Sequence, residues 1–192
     1  MSQARVERST KETKIVLEID WARNEPPQIS TGVPFFDHML TACAFHGGFF
    51  LKVAAEGDLA VDPHHLVEDT GIVLGQALRQ TQTSLGATAR FGHAVIPMDE
   101  ALAEVTIDAC GRAYWVYQAE YPQTHAGAFD LSLVREFWIG LANQAAINLH
   151  GTVRYGTNGH HMAEALFKAL GKALAQAYAP RKGQILSTKG TL

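Results

Sequence analysis

Apolar and polar positions recur along this chain with two periods, and the switches between them mark out elements. Residues 9–20, STKETKIVLEID, alternate toward their end and predict a strand. The stretch ARNEPPQIS predicts a turn and a short strand. Pro34 then opens an apolar run, PFFDHMLTACAFHGG, with the spacing of a buried helix that stops at Gly47-Gly48. FFLKVAAEGD predicts another strand. HHLVEDTGIVLGQALRQTQTSLG carries its apolar residues at helical spacing and predicts a long amphipathic helix ending near Gly86.

The second half repeats the plan. RFGHAVIPM, ALAEVTIDA and RAYWVYQAEY predict strands. DLSLVREFWIGLANQAA predicts a helix, with Asp130 as its N-cap. INLHGTVRYG predicts a strand, and TNGHHMAEALFKALGKALAQAYA a helix stopped by Pro180. Both halves therefore read as strands, helix, strand, helix. No Ser- or Gly-rich linker parts them, so the expectation is one compact domain of two repeats, about 5–87 and 88–179. Such repeats usually pack about a pseudo-twofold axis, each covering the other's apolar face. The basic tail 180–192 is expected to be a loop or arm.

Composition narrows the classes. A hydrophobic share of 47% and a charged share of 18% are those of a globular chain. The net charge of −3 offers no basic footprint for nucleic acid. No apolar run reaches the length of a membrane span, and the polar N-terminus lacks the apolar core of a signal peptide. Two cysteines, Cys43 and Cys110, make no disulfide framework and point to a cytoplasmic protein.

Histidine is the unusual feature: nine residues, four of them in two adjacent pairs. PHHLVEDT (63–70) and GHHMAEAL (159–166) carry the same HHxxE pattern, 96 positions apart in a chain of 192. Neighbours on a helix point about 100° apart, so two adjacent histidines do not readily share one ion. Each glutamate, Glu68 or Glu164, lies three and four residues beyond its pair and shares a face with either histidine. The simplest inference is that each helix feeds two different metal sites. Imidazole and carboxylate together suit Mn, Fe, Co, Ni or Zn. The order differs from HExxH, whose two histidines meet one metal. A single HHxxE would be weak, since paired histidines also cap helices; two copies at matching places in two repeats favour metal binding. Taken alone, His38 among large apolar residues reads as a core histidine, His46 as a helix-end residue, and Lys168 as a solvated helix-face residue.

Six motifs in order, FFDHML, PHHLVEDTGIVLGQAL, FGHAVIPMDEAL, DACGRAYWV, GHHMAEALFKAL and the terminal STKG, resemble the imidazoleglycerol-phosphate dehydratase family over nearly the whole chain. The resemblance implies an α+β fold of duplicated βββαβα half-domains, with helices sandwiched between two four-stranded sheets. It implies dehydration of imidazole glycerol phosphate to imidazole acetol phosphate in histidine biosynthesis. It also implies two Mn²⁺ ions per active site and a homo-oligomer of 24 subunits with sites at subunit contacts. One ion would take His38, His65, His161 and Glu164; the other His64, Glu68, His150 and His160. Arg90, Arg112, Ser187 and Lys189 would bind phosphate, a dianion suited to guanidinium forks and an ammonium. Glu12 would touch substrate and is the first candidate for acid–base catalysis, with His46, Asp99 and Glu100 behind it. Ions on both ring nitrogens would draw the substrate's imidazole toward imidazolate, which can expel the neighbouring hydroxyl through a diazafulvene-like intermediate. A dinuclear hydrolase and a metal-storage shell are the competing classes; the first would break a phosphoester, and the second has no use for a phosphate site.

Overall fold

A computed structural model describes residues 2–183, 186 and 187. Its first half builds β1 (Gln3–Ser9), β2 (Thr13–Asp20), β3 (Gln28–Ser30), α1 (Pro34–Gly47), β4 (Phe50–Gly57) and α2 (His64–Leu85). The strands form one sheet in the order β1-β2-β4-β3, antiparallel except for β3 on β4. β1 lies ahead of the first expected strand. Only Ala4 and Val6 of its seven residues are buried, between charged neighbours. Two small apolar side chains make a faint alternation; pairing with β2 along its whole length makes the strand.

The second half builds β5 (Phe91–Met98), β6 (Ala101–Asp108), β7 (Tyr114–Gln118), β8 (His125–Ala126), β9 (Phe129–Asp130), α3 (Leu133–Ala145), β10 (Asn148–Tyr155) and α4 (Gly159–Ala177). Its sheet runs β5-β6-β10-β7, again with one parallel pair, β7 on β10. The small β8–β9 hairpin was not expected, and it moves the start of α3. Asp130 lies in β9 and is not the N-cap: Ser132 holds that place, and the Asp130 carboxylate accepts the Ser132 N–H at 2.8 Å.

The four helices lie between the sheets. α2 rests on β1 and β2 and packs along α3; α4 rests on β5 and β6 and packs along α1. Each long helix thus joins the two halves. Trp138, Phe36, Phe137, Phe167 and Tyr178 fill the space with fully buried rings. Small residues set how closely the helices approach. A Cβ at Gly171 of α4 would run into the Cys43 carbonyl of α1, which is backbone and cannot turn aside. Gly171→Ala is expected to lower stability by about 1–3 kcal/mol, the usual range for overpacking. In thermal unfolding that is about 2–4 °C per kcal/mol; an unchanged midpoint would show that α1 and α4 can part freely. Among the described residues no helix is long and apolar enough to cross a membrane.

Candidate metal centre

Both histidine pairs occupy the first turn of a long helix. Backbone N–H groups there have no partner within the helix, and nearby side chains supply one. Asn158 Oδ1 accepts from His160 N at 3.0 Å and His161 N at 3.4 Å, and Asp62 Oδ1 accepts from His64 N at 2.7 Å. The imidazoles therefore sit on fixed backbone at the helix tips.

The contact of α1 with α4 brings His38 to Glu164. His38 Nε2 lies 3.0 Å from Glu164 Oε2, and His160 Nε2 lies 3.1 Å from the same oxygen. All three donor atoms fall within 4.8 Å of one another. Lys168, one turn on, holds the other oxygen at 2.8 Å. It is an ion-pair partner of a buried carboxylate, not the solvated residue its position suggested. Burial raises the Glu164 pKa, but the Lys168 ammonium and the His38 ring outweigh it and bring the value to about 2. The carboxylate is thus charged at neutral pH. A cavity of about 610 Å³ opens beside the cluster, with His38 and His160 in its wall among Val33, Phe35, Leu59 and Phe129.

The other candidate ligands stand apart from this group. His64 Nε2 is 3.7 Å from Glu68 Oε2 on the same helix. His65 Nδ1 is 3.0 Å from Asp58 Oδ2 and 3.9 Å from Glu12 Oε2. His161 Nδ1 is 2.8 Å from Glu100 Oε2. His150 is exposed on β10, opposite Thr106 and Val116, with the Tyr114 ring beside it.

The imidazoleglycerol-phosphate dehydratase family model, IGPD, matches residues 31–174. The chain belongs to this family. Similar proteins include the imidazoleglycerol-phosphate dehydratase of Methanosarcina barkeri, 50% identical over the full length of both chains. That of Streptococcus mutans is 49% identical, again over both full lengths. The crystal structure of the Staphylococcus aureus enzyme superimposes with a TM-score of 0.85 at 36% identity, covering 93% of this chain and 99% of that one. The IGPD of Pyrococcus furiosus gives the same TM-score at 39% identity, covering 97% and 100%.

Arg90 lies just ahead of β5, its guanidinium held by Asp108 (Nε to Oδ1, 2.6 Å) and by the Leu186 carbonyl at 2.5 Å. That contact brings Ser187, the residue after Leu186, toward Arg90 in space. The Arg90 backbone has φ 69°, a region side-chain-bearing residues rarely adopt, held by its N–H on the Ala177 carbonyl and its own carbonyl on the Ala109 N–H. Arg112 follows Gly111 (φ 75°), and its carbonyl accepts Asn148 Nδ2 at 2.8 Å. Lys189 lies outside the described residues.

Glu12 stands exposed in the β1–β2 turn, its N–H on the Thr10 hydroxyl. His46 sits in the last turn of α1, where burial and then Lys168 and Lys172 lower its pKa. Asp99 and Glu100 form the β5–β6 turn beside His161. Sequence reasoning missed Asp58 altogether. No periodicity marks a loop carboxylate; its place directly after a strand-ending Glu-Gly and six residues before a histidine pair was the available signal.

Proposed function

We propose that this chain removes water from imidazole glycerol phosphate to give imidazole acetol phosphate, a hydro-lyase step of histidine biosynthesis. The observation that carries the reading is the convergence of His38 and His160 on buried, ionised Glu164 beside a cavity. Full-length likeness to the dehydratases supports the substrate. The reading takes the chain as one domain of two repeats, 5–87 and 88–179, with an arm over 180–192, working in the cytoplasm. Its two cysteines are free and buried.

Two imidazole nitrogens and a carboxylate fit a divalent metal ion, and the reading assigns two Mn²⁺ per site. When bound, they would supply Lewis acidity toward the substrate's imidazole and help to orient it. His38, His65, His161 and Glu164 would hold one; His64, Glu68, His150 and His160 the other. Among the described residues, the one group whose donor atoms lie within reach of a single ion, His38, His160 and Glu164, mixes the two sets. His64, His65 and His150 stand elsewhere, so we assign the complete site to a contact between subunits, in a homo-oligomer of 24. Exposed apolar residues beside these histidines support that: Val61 is 71% exposed just ahead of His64, and Tyr114 is 61% exposed beside His150.

The chain's own groups then divide the work. Arg90, Arg112, Ser187 and Lys189 hold the phosphate, and the rare backbone conformation of Arg90 fits a site under functional constraint. Glu12 moves the carbon-bound proton. The ring, drawn toward its anion, expels the adjacent hydroxyl as a diazafulvene-like species forms. Loss of the neighbouring C–H proton gives an enol, which tautomerises to the ketone. Turnover of imidazole glycerol phosphate by the Mn²⁺-supplemented protein tests this, read as formation of the enolisable ketone. Release of inorganic phosphate would instead mark a hydrolase. No ketone from assembled, metal-loaded protein would overturn the proposal.

A further inference from the structure

The second histidine of each pair has a carboxylate on the same ring atom. His65 Nδ1 faces Asp58 Oδ2 at 3.0 Å, and His161 Nδ1 faces Glu100 Oε2 at 2.8 Å. A carboxylate only accepts, so the facing nitrogen carries the proton and Nε2 keeps its lone pair. The first histidines are different: His160 directs Nε2 to Glu164, as lone His38 also does, and His64 has Nε2 nearest Glu68. We propose that Asp58 and Glu100 are positioning residues that hold the Nδ1–H of His65 and His161 and so reserve Nε2 of each ring for a metal ion. The assignment rests on the metal reading above.

The two carboxylates come from different places. Glu100 stands in the β5–β6 turn, the counterpart of the β1–β2 turn that carries Glu12. In the first half that role passes to Asp58, just beyond β4, while Glu12 Oε2 stays 3.9 Å from the ring. Asp58 thus does for His65 what Glu100 does for His161, and leaves Glu12 available to substrate. Glu100 also accepts the N–H groups of Thr157 (3.1 Å) and Asn158 (2.8 Å), which ties the His161 ring to the N-cap of its own helix. Such outer carboxylates fix the tautomer and ring orientation of ligating histidines, and losing one weakens metal affinity by about 10–100-fold.

The test is Mn²⁺ affinity of the assembled full-length protein, measured without substrate. Asp58→Ala and Glu100→Ala are expected to weaken Mn²⁺ binding by about 10–100-fold and to raise by a similar factor the Mn²⁺ needed for half-maximal turnover. Asp58→Asn and Glu100→Gln keep an accepting oxygen and should recover most of the affinity, which a loss of general packing would not allow. Wild-type affinity in both alanine variants would overturn the proposal, as would amide variants no better than alanine. His65→Ala and His161→Ala are the reference: if they bind Mn²⁺ like the wild type, the metal reading falls and takes this assignment with it. If the affinities shift as expected but the wild type yields no ketone, the substrate reading fails and the positioning role stands.

Discussion

Glu164→Ala is expected to abolish most turnover and to empty the metal centre. One carboxylate oxygen receives His38 Nε2 and His160 Nε2, and the other receives Lys168 Nζ. No other carboxylate among the described residues joins this group. Without it, the two imidazoles lose the oxygen that gathers them, and a largely buried ammonium loses its partner. Metal catalysis supplies several kcal/mol of charge stabilisation, and each 1.36 kcal/mol is tenfold in rate, so activity should fall on the order of 10³-fold. Stability of the metal-free protein should fall by about 1–3 kcal/mol as Lys168 is left unpaired. Elemental analysis for Mn per chain is the decisive measurement. An unchanged metal content would remove Glu164 from the ligand set.

Glu12→Gln is expected to separate chemistry from assembly. The side chain is exposed in a turn that backbone and hydroxyl groups hold: Thr10 Oγ1 accepts the N–H of Glu12 and of Thr13, and the Glu12 carbonyl accepts the Asp58 N–H. None of these needs the carboxylate. Folding, Mn²⁺ content and oligomer size should therefore match the wild type. Turnover should fall by about 10²–10⁴-fold, the contribution of a placed acid–base group. Near-normal turnover would pass that role to another group, with His46 and Asp99 next in order.

The helices show why much of the fold was legible. α1, α2 and α4 bury one face along many turns, so their periods persist through the sequence, and glycine or proline marks their ends. β1 and the β8–β9 hairpin were illegible for the opposite reason. Ala4 and Val6 give a strand of two weak apolar positions, and a hairpin of two-residue strands has no period at all. Asp130 shows a local signal overridden: an aspartate before a helix reads as a cap, but the hairpin claims it and the helix starts later. Lys168 shows the same for charge. Its position on a helix suggested solvent, and the packing of α4 turned it toward a buried carboxylate.

For the candidate site, the sequence by itself determined which side chains stand together within one element. Two HHxxE helices in two repeats, with Glu164 on the same helix face as His160, follow from spacing and the helical period alone. Only the tertiary structure decided which donors meet. His38 lies 126 residues from Glu164 along the chain and reaches it because α1 packs on α4, where glycine allows close approach. The carboxylates on His65 and His161 likewise come from a loop and a turn brought in by sheet pairing. Spacing fixes neighbours within an element, since backbone geometry is local. Contacts between elements depend on how two apolar faces fit, and no single stretch of sequence contains both.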